Sequence, residues 1–270
     1  MKKRTLEHFK KTIRDYYKKN KRNLPWRNTT NPYHIFISEL MLQQTQVSRV
    51  VKKYKEFIKK FPDFRSLAKA PIRDVLMVWQ GMGYNRRAKY LKESALHIER
   101  TYKGIVPQDV QKVDELPGIG SATAGSIVCF SYNLPTLFIE TNTRRVFIHF
   151  FFADKKGVDD KDIIPLLEAT LDRENPREWY YALMDYGAML GVGRKNANAR
   201  SKHYKKQSPF KNSDRQIRGA IIRHLLKNKH SNENSLNSVL SFGQARIKKN
   251  LLQLRREGMI QEKKGNYFIV

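Results

Sequence analysis

Sulfur is almost missing from this sequence: Cys129 is the sole cysteine in 270 residues. One thiol excludes an intrachain disulfide and any all-cysteine zinc or iron–sulfur site held by a single chain. Long apolar runs are missing too. The basic opening MKKRTLEHFKKTIRDYYKKNKR lacks the continuous apolar stretch of a signal peptide, and no later segment approaches the ~20 apolar residues of a membrane span. A soluble, intracellular protein with no membrane partner is expected. Acidic residues are scarce, with 25 Asp+Glu against 53 Lys+Arg and a net charge of +28. So large an excess repels itself unless a polyanion compensates it. Nucleic acid is the leading partner on this ground; a solubilising basic surface is the alternative, and an anionic membrane surface comes third.

The length allows one large domain or two modest ones. From residue 6 to about 199, apolar residues recur three and four apart with short breaks at Pro or Gly, and no alternating strands stand out. NPYHIFISELMLQQTQVSRVVKKYKEFIKKF reads as a capped, buried helix followed by an amphipathic one. PIRDVLMVWQGMGYNRRAKYLKESALHIERTY reads as two helices joined around residues 81–84. An all-α bundle is therefore predicted for residues 1–210. After the polar, basic KHYKKQSPFKNS the character changes to three helical segments and two short β-prone runs around a Lys-Lys-Gly-Asn turn. Residues 211–270 resemble a winged helix, an α+β fold that commonly places its third helix, here about 244–256, in a major groove. Arg246, Lys248, Lys249, Arg255 and Arg256 favour DNA for this segment. A small packing or dimerisation domain is the other reading.

The segment VDELPGIGSATAGSIVCF joins Leu-Pro-Gly-Ile-Gly to a helix that starts immediately after it. Gly118 and Gly120 permit a tight hairpin whose backbone N–H groups can approach a phosphate at the positive end of a helix. The combination resembles the helix-hairpin-helix element of base-excision DNA glycosylases, the HhH-GPD superfamily. Upstream, LPWRNTTNPYHIFISELMLQQTQVSRV is similar to the opening of the MutY-type adenine glycosylases in that superfamily, and the likeness continues through VWQGMGYNRRAKYL, LPGIGSATAGSI, NTRRV and MDYGAM. It covers about residues 24–190, with the motifs in family order, and implies a two-lobed helical fold.

Removing a nucleobase from deoxyribose needs a leaving group made stable by protonation and negative charge near the developing sugar cation. The resemblance assigns the first task to Glu39, whose apolar surroundings at 35–42 suit a proton donor, and the second to Glu140. Glu140 stands where the family carries aspartate in a D-x-N motif, here Glu140-Thr141-Asn142. Its extra methylene leaves three readings open: a re-tuned enzyme, a related glycosylase with another substrate, or a DNA-binding protein with weakened catalysis. The family's duplex-entering residues correspond to Gln43 and Gln44, and its aromatic wedge, which fills the stack when a base flips out, to Tyr84. Asn142, Arg144 and Arg145 join the implied DNA contacts. The hairpin in this family can also hold Na+ or K+ through carbonyls, which would fall at Asp114, Leu116 and Ile119.

Two departures matter. At the position where bifunctional relatives carry a Schiff-base lysine stands Ala122, which implies a monofunctional enzyme that leaves an abasic site. The four cysteines that bind [4Fe-4S] in most MutY-type enzymes correspond to Gly191, Asn198, Ser201 and Gln207, so no cluster is expected and packing must replace it. The loop stays basic, with Arg194, Lys195, Arg200, Lys202, Lys205 and Lys206. The expected activity is hydrolytic removal of a mispaired base, adenine opposite 8-oxoguanine or guanine, from double-stranded DNA by a cytoplasmic, nucleoid-associated monomer. The alternatives are thymine or uracil removal from mismatches on the same scaffold, and a non-catalytic lesion or structure binder.

Overall fold

The three-and-four spacing of apolar residues becomes helix nearly throughout the computed structural model, which describes residues 3–192 and 196–270. Two compact units emerge. The first comprises Met1–Ile35, Pro107–Glu115 and Ile119–Lys206; the second comprises Phe36–Val106, Leu116–Gly118 and Gln207–Val270.

The first unit is organised by aromatic side chains. Helix Lys3–Asn20 presents Phe9, Ile13 and Tyr17 on one stripe, and helices Thr141–Phe151 and Pro176–Leu190 answer with Phe147, Trp179 and Tyr180. The rings of Phe9 and Phe147 lie 5.3 Å apart, and Phe138 stacks on Tyr180 at 3.9 Å. Burying such a side chain contributes roughly 1.5–3 kcal/mol. Tyr180 keeps its polar end satisfied within this core, because its hydroxyl donates to the Thr136 carbonyl at 2.9 Å and accepts from the Phe138 amide at 3.2 Å. The Phe-rich end of the Thr141–Phe151 helix is thus core material, and the helix is fixed along its length by the Pro176–Leu190 helix.

The second unit begins inside helix Pro32–Leu42, whose Phe36, Ile37, Leu40 and Met41 are fully buried. Helices Val47–Lys60, Phe64–Lys69, Ile72–Trp79 and Arg86–Tyr102 enclose a core that includes Phe57, Phe64, Trp79 and Leu91. Asp63 and Ser66 cap the Phe64–Lys69 helix reciprocally, a local signal that fixes its start. Residues 214–269 of this unit are winged-helix-like. Helices Asp214–Asn228, Glu233–Val239 and Gln244–Arg256 bury Ile217, Ile221, Leu236, Ile247 and Leu251 beside a three-stranded antiparallel sheet. Its strands are β1 (His230–Asn232), β2 (Ile260–Lys263) and β3 (Asn266–Ile269), in the order β1-β3-β2. Lys264 and Gly265, both at positive φ, form the tight turn of the β2-β3 hairpin expected from the sequence. The strand β1 was not legible in His-Ser-Asn, which has neither alternation nor β-branched residues; it is a strand because β3 offers it an edge.

Candidate active site and nucleic-acid surface

In the first unit Glu140 is the N-cap of the Thr141–Phe151 helix. Its Oε1 accepts from the Thr143 amide at 2.6 Å and the Thr143 hydroxyl at 3.2 Å, and its Oε2 accepts from Asn142 Nδ2 at 3.2 Å. Negative charge there meets the positive end of the helix dipole. Asn142 is held in turn, since its Oδ1 accepts from Arg145 Nη1 at 2.9 Å and the same nitrogen donates to the Gly187 carbonyl at 2.6 Å. Burial pushes the Arg145 guanidinium below its ordinary pKa, opposed by the nearby Glu140 charge. Arg144 is bonded through Nε and Nη2 to both oxygens of Asp160, each at 2.7 Å, and this hydrogen-bonded pairing raises its pKa against the opposing effect of burial. Both arginines therefore serve the chain's own groups around Glu140.

Close approach of two helices completes this arrangement. A Cβ added to Gly187 would stand 2.7 Å from the Asn142 Cβ and 2.8 Å from its carbonyl carbon, so only glycine fits. Two residues earlier Asp185, nearly fully buried, accepts from Arg22 Nε at 2.5 Å and from Arg27 Nη1 and Nη2 at 2.9 and 2.8 Å. Burial alone would raise the Asp185 pKa, but the Arg27 and Arg22 contacts outweigh it and hold the carboxyl below its usual range. Asp160 was not singled out from sequence, and Asp185 and Gly187 entered only as part of the MDYGAM motif, without a role. An Asp-x-Gly in a helix whose neighbours are apolar was the available signal.

In the second unit the organising group is Arg87, which is buried. Its Nη1 donates to the carbonyls of Leu40, Met41 and Gln43 at 2.8, 2.9 and 2.6 Å, and its Nη2 donates to the Thr45 hydroxyl at 2.8 Å. It thereby satisfies carbonyls that the end of the Pro32–Leu42 helix leaves without helical partners. Its guanidinium also stacks 5.1 Å from the Trp79 ring and 5.6 Å from the Tyr84 ring. Burial pushes its pKa down to about 10. Arg87 was absent from the sequence-based site, although an arginine set in a buried helical stripe is an indicator of such a hub.

Arg87 thereby fixes the end of the Pro32–Leu42 helix, which carries Glu39 and leads into Gln43 and Gln44. Glu39 is half-buried on the Pro32–Leu42 helix, one turn before Gln43. Gln43 Nε2 donates to the Gly118 carbonyl at 3.1 Å. Gln44 is exposed at φ 53, so the chain reverses there with this side chain at the surface. Tyr84 also has positive φ, 46, and its hydroxyl accepts from Arg215 Nη1 at 2.6 Å and from Gln207 Nε2. Gly118, at φ 77, faces Tyr90 so closely that a Cβ would run into the ring. Gly120 is the N-cap of helix Ser121–Tyr132 and carries no side chain to cover its first amides. Asp114 is exposed, Leu116 buried and Ile119 half-buried. Glu39 belongs to the second unit and Glu140 to the first.

The cluster positions have other uses. Asn198 is buried and its Nδ2 donates to the Thr141 carbonyl at 3.0 Å; Ser201 forms an isolated bridge with Val158. Arg200 donates to the carbonyls of Ala153 and Ile148. These side chains cannot ligate an iron–sulfur cluster, and Cys129 lies buried in helix Ser121–Tyr132. Among the described residues no group of three or more His, Cys, Asp or Glu is placed to hold a metal. Arg194 and Lys195 lie outside the described residues. No helix among the described residues is long and apolar enough to cross a membrane.

Ala122 is half-buried against the first unit's core. In the expected recognition helix Gln244–Arg256, Arg246 and Lys249 reach Asp214, and Arg255 pairs with Glu262 at 2.8 Å. Part of that helix's charge is therefore answered internally.

Residues 37–169 match the pattern of the HhH-GPD superfamily base excision DNA repair proteins. The adenine DNA glycosylase of Buchnera aphidicola subsp. Baizongia pistaciae (strain Bp) is 35% identical over 190 residues, covering 69% of this chain and 53% of that protein. The adenine DNA glycosylase of Mycobacterium tuberculosis (strain ATCC 25618 / H37Rv) is 36% identical over 186 residues, with coverages of 66% and 60%. The chain thus spans between half and two thirds of these relatives' length. Among solved structures, a thermostable thymine-DNA glycosylase superposes with a TM-score of 0.64 at 27% identity over 72% of this chain and 91% of that one. A non-covalent endonuclease III–DNA complex shares the fold, with a TM-score of 0.60 at 19% identity over 83% and 95%. The hairpin, the helices that present Glu39 and Glu140 and these likenesses together place the chain in the HhH-GPD superfamily of base excision DNA repair proteins.

Proposed function

We propose that this chain is a monofunctional DNA glycosylase that removes mispaired adenine, opposite guanine or 8-oxoguanine, by hydrolysis. The observation that carries the reading is the Glu140 carboxylate, anchored through both oxygens at a helix N-terminus by Thr143 and Asn142. In this mechanism Glu39 gives its proton to a ring nitrogen of adenine, and the N-glycosidic bond breaks with its electron pair leaving on the base. Glu140 faces the resulting sugar cation, and water adds to the anomeric carbon while its proton passes to Glu140. Fixing the carboxylate in advance lowers the reorganisation needed as charge develops. Ala122 offers no amine to attack the sugar, so the product is an abasic site in an unbroken strand.

Gln43, Gln44 and Tyr84 enter the duplex, Tyr84 as the wedge, while the amides after Gly118 and Gly120 hold phosphate. Backbone carbonyls of Asp114, Leu116 and Ile119 are hard oxygen donors suited to Na+ or K+, which would brace the hairpin. Residues 211–270 act as a winged-helix DNA-binding arm of a protein that works as a monomer. Excision of thymine or uracil opposite guanine is the second reading, favoured by the likeness to the thermostable thymine-DNA glycosylase.

The test uses duplexes containing A·8-oxoguanine, A·G, T·G and U·G, treated with alkali after incubation with wild type, Glu39→Gln and Glu140→Gln. Wild type is expected to cut only after alkali and to prefer the adenine duplexes, with both variants losing roughly 100-fold or more. No alkali-labile product from any duplex would defeat the enzyme reading. Strand cutting without alkali would defeat monofunctionality.

A further inference from the structure

Positive charge is answered unevenly along this chain. On the Lys3–Asn20 helix, Lys10 meets Glu7, Lys11 meets Asp15 and Arg14 meets Asp172. Helix Val47–Lys60 of the second unit differs. It buries Val50, Tyr54 and Phe57 on one face, and its other face exposes Arg49, Lys52, Lys55, Lys59 and Lys60. Glu56 is the single acid of this helix, and Lys53 already takes it at 2.8 Å. The five exposed cations form no ion pair among the described residues.

Folding by itself gives no reason for this pattern. Arg49 and Lys53, and Lys55 and Lys59, are like charges four residues apart, while Arg49, Lys52 and Lys55 follow at intervals of three; such neighbours repel on a helix surface. The helix dipole accounts for Lys59 and Lys60 in the last turn, but it opposes Arg49 in a first turn that holds no acid. A face that repels itself is stabilised by an anion extended along it. Lys52, Lys55 and Lys59 span about 10 Å of helix axis, over which one strand of B-DNA presents about three phosphates. The start of the helix decides which anion this is. Gln44, exposed at the preceding turn, enters the duplex under the reading above, and only Thr45 and Gln46 separate it from Val47. Three residues of chain reach at most about 11 Å, so a duplex held at Gln44 lies beside the first turn of this helix.

We propose that the basic face of helix Val47–Lys60 is a track for the phosphate backbone of the duplex flanking the target base, a proposal that rests on that reading. Lys52, Lys55 and Lys59 each neutralise one phosphate and touch no base. The track therefore adds affinity and salt dependence without sequence preference, and it lengthens the footprint beyond the hairpin amides.

The test measures equilibrium binding of the full chain, by fluorescence anisotropy, to a duplex of about 30 base pairs with a stable abasic analogue at its centre, between about 50 and 200 mM salt. Lys52→Gln, Lys55→Gln and Lys59→Gln are combined in one variant, which removes charge while keeping helix propensity. The slope of log affinity against log salt is expected to fall by about 2.7, at about 0.9 per phosphate, and Lys55→Gln alone should lower it by about 0.9 even if the triple variant folds poorly. A control combining Lys18→Gln, Lys19→Gln and Lys161→Gln takes the same charge from exposed positions of the first unit and should change the slope by less than about 1. An unchanged slope in the track variants, or an equal fall in the control, would overturn the proposal. A difference that appears only above one duplex per chain would assign the face to a second duplex and overturn it too. Single-turnover excision of adenine from an A·G duplex at saturating enzyme is scored in parallel, and the triple variant is expected to stay within about twofold of wild type. Absent excision by wild type with the slope difference intact would defeat the hydrolytic reading alone, whereas normal excision with an unchanged slope would defeat the track alone.

Discussion

Gly187→Ala isolates the geometry that holds Glu140. Helix propensity alone favours alanine over glycine by roughly 0.5–1 kcal/mol, so an uninvolved glycine in helix Pro176–Leu190 would become more stable on substitution. The packing predicts the opposite sign. The added methyl would lie 2.7 Å from the Asn142 Cβ and 2.8 Å from its carbonyl carbon, whereas carbon atoms pack at about 3.5–4.0 Å. One helix must then retreat by about 1 Å, and overpacking of this kind costs typically about 1–3 kcal/mol. Asn142 donates directly to Glu140, so the retreat also moves the carboxylate, and a displacement near 1 Å can cost ~100-fold in rate. The assay pairs thermal unfolding with single-turnover excision of adenine, which separates the chemical step from product release. We expect a lower melting temperature and a rate reduced by about two orders of magnitude, with duplex affinity unchanged to within about twofold. A variant that melts higher than wild type and excises at the wild-type rate would refute the argument.

Two further substitutions test the same unit. Asp185→Asn removes the charge that answers Arg22 and buried Arg27, and breaking a buried pair costs about 3–5 kcal/mol. Because the folded pKa of Asp185 is depressed, its contribution is present above the unfolded value of about 3.9 and is lost as pH falls through the folded value, so the gap in melting temperature between variant and wild type should be constant near neutrality and close in acid; a gap independent of pH down to complete acid unfolding would contradict this. Glu140→Asp keeps a preferred N-cap residue and should leave stability within about 0.5 kcal/mol, yet it shortens the arm that reaches both Thr143 and Asn142, so turnover should fall ~100-fold. Faster turnover would show instead that glutamate is a poor fit.

How much of this was legible in the chain can be judged from particular residues. The helical class followed from spacing, because a stripe three and four apart has no other way to bury itself, as Phe9, Ile13 and Tyr17 illustrate. The hairpin at Gly118 was legible in Leu-Pro-Gly-Ile-Gly ahead of a helix, and the positive φ and the nearness to Tyr90 give the reason that no side chain fits there. That this chain cannot supply four thiolate ligands follows from its single cysteine, a count that needs no coordinates. The sequence also pointed to Glu39 and Glu140 as the acids of interest, through motifs in a fixed order. What it did not disclose was everything that depends on residues distant along the chain.

Glu140 is a helix cap as well as an acid, Asn142 is held by an arginine that also reaches Gly187, and Arg87 gathers carbonyls from a helix more than forty residues away. The same limit hid β1, whose three polar residues acquire a strand conformation only from β3. It also hid the contacts that join Tyr84 to Arg215 and Gln207. Local spacing and composition determined the helices, the charge and the candidate acids, since those follow from near-neighbour sterics and from counting. Tertiary structure alone decided which cations are answered by carboxylates and which still face solvent, because an ion pair is made in space between groups that no sequence interval relates.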